Sequence, residues 1–133
     1  MVSMKQVRQY HAASVAVLAG WLSDHPDEET RWRLVAEFLE EYRHEPPVVR
    51  LDLLASEPAS VGDPHWDVFL AALAEHLAAK DGKAGPPWTD TRRLHRFWFP
   101  FNTPAARVDA FVHAPASFRR RGVFIHPQEL EVA

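Results

Sequence analysis

The chain has no cysteine. That absence removes disulfides, thiolate zinc sites, iron–sulfur clusters and cysteine nucleophiles together, and it suits a reducing compartment, so a cytoplasmic location is expected. No apolar run is long enough to cross a bilayer. The most apolar stretch, Ala12 to Leu22, contains Ser14 and Gly20 and falls short of the roughly twenty residues a spanning helix needs. The first residues, Met1-Val2-Ser3-Met4-Lys5-Gln6, lack the charged-then-apolar layout of a signal peptide. Strand-like alternation, internal repeats, heptads and low-complexity tracts are also missing, which leaves a helical reading.

Motifs that carry chemistry are absent as well. The sequence contains neither Gly-x-x-x-x-Gly-Lys-Ser/Thr nor Gly-x-Gly-x-x-Gly, so no phosphate-cradling loop is recognisable. Ser14, Ser23, Ser56, Ser60 and Ser117 lack a nucleophile-elbow setting. Glu37, Glu40 and Glu41 read as a solvated helix face. Eight histidines are present (His11, His25, His44, His65, His76, His95, His113 and His126), yet no two lie within ten residues of each other. Local metal-ligand spacing is therefore missing. The expectation is a protein that is not an enzyme and that carries no metal and no cofactor.

What is present is ordinary globular material. Apolar residues make up 47% and charged residues 25%, a balance that argues against disorder. At 133 residues, one helical domain over 1–133 is expected, with a core large enough to need no covalent staple. The fold class expected is mainly α: an irregular helical bundle, with short helices and loops in the C-terminal third.

Hydrophobic spacing places the helices. Val7, Tyr10, Val15, Leu18 and Leu22 mark a first helix over about Met4 to Ser23, capped by Ser3. Trp32, Val35, Phe38, Leu39 and Tyr42 mark a second, opened by Pro26 with Asp27, Glu28 and Glu29 in its first turn and closed by Pro46-Pro47. Pro47 to Ala55 forms a short third. Asp63-Pro64 caps and starts the next, with Trp66, Phe69, Leu70, Leu73 and Leu77 inward and Gly82 past its end near Lys80. The expected core joins the stripes of these two strong helices. Beyond the connector 81–88 the pattern weakens. Thr89 caps a short helix towards Arg96, Thr103-Pro104 opens one to about His113, and Pro115 opens one that ends at Gly122. Val123-Phe124-Ile125 reads as extended, and His126-Pro127 opens a final turn.

Charge is uneven along the chain. Residues 88–133 hold seven arginines, no lysine and four carboxylates, a net +3, which leaves −6 for residues 1–87. Either the two halves attract each other within the fold, or the basic third faces a partner. Arg119-Arg120-Arg121 is the sharpest charged feature. Arg96-Phe97-Trp98-Phe99-Pro100-Phe101, with Trp88 ahead of it, is the sharpest aromatic one. Arginine among aromatics is the composition of protein-interface anchors. The aromatic run also reads as core packing and the triplet as helix-end charges paired with the acidic half; the residues expected at a partner surface are Arg119, Arg120, Arg121, Arg96, Trp88 and Trp98. The alternative is that the same third binds nucleic acid by stacking and charge, although such binders usually add lysine and more net charge.

The strings Gly62-Asp63-Pro64-His65-Trp66-Asp67, Pro87-Trp88-Thr89, Arg96-Phe97-Trp98-Phe99-Pro100 and Ala116-Ser117-Phe118-Arg119-Arg120-Arg121-Gly122-Val123-Phe124-Ile125 stand in an order that resembles an uncharacterised family of small actinobacterial proteins. The resemblance covers about residues 30 to 133. In that family the segment also occurs behind an N-terminal helix-turn-helix in regulators. Its genes resemble partners of nucleotidyltransferase-type toxins. The resemblance implies an antitoxin-like protein that binds the product of the adjacent gene. This chain departs from the longer relatives in having one long expected helix before Trp32, which leaves no room for a recognition helix.

Overall fold

A computed structural model describes residues 12–131. Its helices are α1 (Val15–Asp24), α2 (Glu28–Arg43), α3 (Pro47–Ala55), α4 (Pro64–Lys80), α5 (Pro104–His113) and α6 (Ala116–Arg119), with 3-10 turns at Pro87–Thr91 and Pro127–Leu130. The mainly α reading holds, and among the described residues the only extended pairing is one isolated parallel bridge.

The first helix is shorter than its periodicity suggests. Residues 12–14 are not helical, and Ser14 caps α1 by accepting a hydrogen bond from the Val17 amide at 3.1 Å. Ser3 and the rest of that expected helix lie outside the described residues. The entry to α2 is also shifted. Asp27, not Pro26, is the boundary, and its carboxylate accepts from both the amide and the hydroxyl of Thr30 at 2.9 Å. Two carboxylate-capped donors outcompete a proline start, because the first amides of a helix have no internal partner.

Helix α4 is the axis of the fold. Asp63 caps it, Pro64 is its first residue, and ten of its side chains are buried. A helix apolar nearly all round must be wrapped, and α1, α3, α6 and the Pro87–Thr91 turn pack on it. Gly82, at φ 71°, terminates it. There the amides of Gly82 and Lys83 donate to the carbonyls of Ala79 and Ala78 at 2.9 Å, which closes the helix end with the left-handed residue only glycine adopts cheaply. The expected core residues Val35, Phe38, Leu39, Trp66, Phe69, Leu70, Leu73 and Leu77 are all buried, with Trp32 at the edge against Trp66, Phe69 and Phe101.

Two arginines lock the N-terminal half. Arg31, buried on α2, donates from Nε to the carbonyls of Leu22 and His25, and reaches Asp63 at the head of α4. Arg50 of α3 grips Asp81 through both nitrogens of its fork, at 2.9 and 2.7 Å.

The C-terminal third departs furthest from expectation. Thr89 caps no helix. It is buried in the Pro87–Thr91 turn with its hydroxyl donating to the Pro86 carbonyl, and residues 92–96 are irregular. Instead, the segment is stapled by backbone. The Leu94 amide donates to Arg121, Trp98 donates to Gly122, and Phe124 donates back to Trp98, all within 2.8–2.9 Å. Gly122 sits at φ 85° between them, close under Leu94. This staple sets the aromatic run beside α5.

Candidate functional site

Helix α5 is built inside out. Thr103 caps it by accepting from the Ala106 amide, and Pro104 is its first residue, so its formation is locally encoded. It buries only Ala110. At about 100° per residue, Ala106, Ala110 and Ala114 share one side, Val108 and Val112 lie on the opposite side, and Arg107 and Phe111 fall on the flank between, where they reach Phe99 and Phe124. Alanines thus face the protein along one side while the two valines face outward. Val108 is 64% exposed, Val112 60%, and Phe111 53%.

The helix rests on a small cluster of its own, made of Ala110, Ala114 and Phe124, with Phe99 beside it. Phe124 is the hub. Phe97, Phe99 and Phe111 gather round it at ring-centroid distances of 4.7, 5.2 and 5.5 Å. Phe97 is 66% exposed and extends the apolar surface away from α5. Next to it runs a groove of about 420 Å³ lined by Phe97, Trp98, Phe99, Pro100, Asn102 and Arg107. Arg107 lies over the Phe99 ring at 4.9 Å. Exposed Arg96 adjoins Phe97 in the chain, and Asp109 is the single carboxylate of α5.

The six residues expected at an interface scatter when placed in the structure. Arg121 is buried, 3% exposed, and so cannot meet a partner. Its guanidinium donates to the Thr89 carbonyl at 3.0 Å, to the Ser117 carbonyl at 2.9 Å and to Glu75. Burial pushes its pKa below the ordinary arginine value. Arg120 is exposed but shares the same Glu75. Arg119 is half-buried and structural: it donates to the carbonyls of Phe111 and Val112 and lies over the Phe111 and Phe124 rings, capping the C-terminal end of α5. Trp88 is packed inward, donating its indole N–H to the Leu54 carbonyl beneath Arg92. Trp98 is half-buried, stacked on His65 and edge-on to Trp66. Only Arg96 stands exposed with no hydrogen bond or ion pair among the described residues.

The acidic and basic halves do attract each other: Arg92 pairs with Glu57, and Arg120 and Arg121 pair with Glu75. The surface missed from sequence is Val108, Phe111 and Val112. Their helix is legible, but spacing does not say which side of it faces in.

The fold brings His113 and His126 together at 5.2 Å between rings, although no group of three or more His, Asp or Glu among the described residues is arranged to hold a metal. No helix among them is long and apolar enough to cross a membrane. Comparison with protein-family models, curated proteins and solved structures gives no significant match.

Proposed function

We propose that this is a non-enzymatic protein-interaction domain that docks a partner on the outer face of α5 and the adjoining Phe97 groove. The observation that carries the reading is the inverted helix: Val108 and Val112 lie largely in solvent with Phe111 half-exposed beside them, while Ala106, Ala110 and Ala114 face the protein. Clustered exposed apolar side chains mark interaction sites, whereas scattered ones need no explanation. The occupant we assign is a protein segment with an apolar strip and flanking carboxylates. Arg96 and Arg107 border the face, against Asp109 alone on the helix, and guanidinium forks match carboxylates.

The family resemblance names a source for such a partner, the product of the adjacent gene in an antitoxin-like pair. The nucleic-acid alternative loses ground, because Arg119 and Arg121 are held in contacts within the chain and the arginines left at the surface are not strung along a groove that could follow a polymer backbone. The test is co-expression with the adjacent gene. A complex that co-purifies from wild type and is lost in Val108→Glu and Phe111→Ser is expected. A complex that survives both variants, self-association of the free protein through this face, or salt-sensitive oligonucleotide binding by the free protein would each overturn the reading.

A further inference from the structure

A second surface, which shares no residue with the α5 face, carries an independent inference. Arg92, Arg93, Arg120 and Arg121 line one concavity of about 250 Å³ together with Asp90. They reach it from two places in the chain: the irregular segment after the Pro87–Thr91 turn and the end of α6. The staple from the Leu94 amide to the Arg121 carbonyl holds these two places side by side.

Charge in this concavity does not balance. Arg92 is matched by Glu57. Arg120 and Arg121 share the single carboxylate of Glu75. Arg93 is exposed and has no hydrogen bond or ion pair among the described residues. Four guanidinium groups thus meet three carboxylates, Asp90 included. Two of the four are held rigidly by other contacts. Arg92 donates to the carbonyls of Asp67 and Pro58 and lies over Trp88 at 4.9 Å, and Arg121 is fixed by Thr89 and Ser117. A guanidinium fixed in advance loses little freedom when an anion arrives.

We propose that this arginine-lined concavity binds a phosphate monoester group. Arg93 and Arg120 stand at the surface of the concavity with Arg92 and the buried Arg121 held behind them. Charges converging from different chain segments suit a compact tetrahedral dianion, which accepts from more directions than a planar carboxylate. The surplus is local, about one charge, and Asp90 stands on the wall. That fits a single phosphate group and not a polymer backbone, which needs basic residues strung along a groove. Burial already disfavours the charge on Arg121, and a bound dianion relieves that penalty.

The test is a ³¹P NMR titration of the whole protein with phenyl phosphate near neutral pH, where a phosphate monoester is dianionic because its second pKa is about 6. Wild type is expected to bind saturably. Arg93→Ala removes an exposed side chain that makes no hydrogen bond or ion pair among the described residues, so the fold should stay intact, and binding should weaken by about tenfold or more. Arg93→Lys should restore part of it, and Arg96→Ala, outside the concavity, should leave it unchanged. No saturable shift with wild type, or equal binding by Arg93→Ala, would overturn the proposal. So would competition by benzoate equal to that of inorganic phosphate, or an oligonucleotide that outcompetes phenyl phosphate.

Discussion

Replacing Arg121 by alanine should unfold a large part of the protein's stability, although arginine triplets usually lie in solvent. The side chain is 3% exposed and its contacts are specific: the carbonyls of Thr89 and Ser117 and the carboxylate of Glu75. Truncation leaves the Ser117 carbonyl without the Arg121 donor, at about 1–3 kcal/mol, and the Thr89 carbonyl with only the long bond from the Arg92 amide. Glu75 keeps Arg120, so its charge is not orphaned, and the lost carbonyl donors set the cost at about 2–4 kcal/mol. The side chain of Arg120, 55% exposed, makes a pair that water screens, and Arg120→Ala should cost about 1 kcal/mol or less. Urea denaturation of both variants at neutral pH reads the difference directly as a shift in midpoint at constant slope. If Arg121→Ala loses under about 1 kcal/mol, or no more than Arg120→Ala, the burial argument for the triplet is wrong.

Other outcomes follow from the same contacts. Leu70 is fully buried in the axis helix, so Leu70→Ala should cost about 2–5 kcal/mol by thermal or urea melting. The Tyr42 hydroxyl is buried with no hydrogen-bond partner among the described residues, and burial raises its pKa to about 12, so Tyr42→Phe should be neutral or slightly stabilising in the same melts, and a loss above about 1 kcal/mol would reveal a hidden partner. His76 is held below its ordinary pKa, first by burial and then by Lys80, with Glu131 opposing. A depressed folded value means the unfolded chain takes up the proton first. The contribution is therefore full above about pH 6.5 and fades as pH falls towards the folded value. Melting temperature across pH 5 to 8 should drop on the acid side, and less steeply in His76→Gln.

The sequence was most informative where one residue does one local job. Asp63-Pro64 and Gly82 bracket α4 as their backbone chemistry requires, and the apolar stripes of α2 and α4 meet in the core as periodicity predicts. It was least informative in the C-terminal third, where order comes from long-range backbone pairing of Leu94 and Trp98 with Arg121, Gly122 and Phe124. No local pattern announces such a staple, so Thr89 read as a cap when it is a buried turn residue. The arginine triplet shows the same limit. Three adjacent residues at the end of a short helix point three ways: Arg119 to the end of α5, Arg120 to the surface side of Glu75, Arg121 inward. Pairing of the triplet with the acidic half is what the structure shows for Arg120 and Arg121, and the exposed apolar surface lies on α5 instead. Its size asymmetry, alanines against Val108, Phe111 and Val112, is visible in the letters, while its orientation depends on Phe124 and on Arg119 holding the helix end.

The docking face can be tested most directly by isothermal titration of the adjacent gene's product into wild type and into Val108→Glu. Val108 is largely in solvent, so the variant should melt within about 0.5 kcal/mol of wild type, as surface changes do. If the outer face of α5 is the docking surface, a carboxylate at its centre should weaken the complex by about a hundredfold or more, since it opposes both the apolar strip and the acidic flank of the partner. Equal affinity of the two proteins, with both folded, would contradict it.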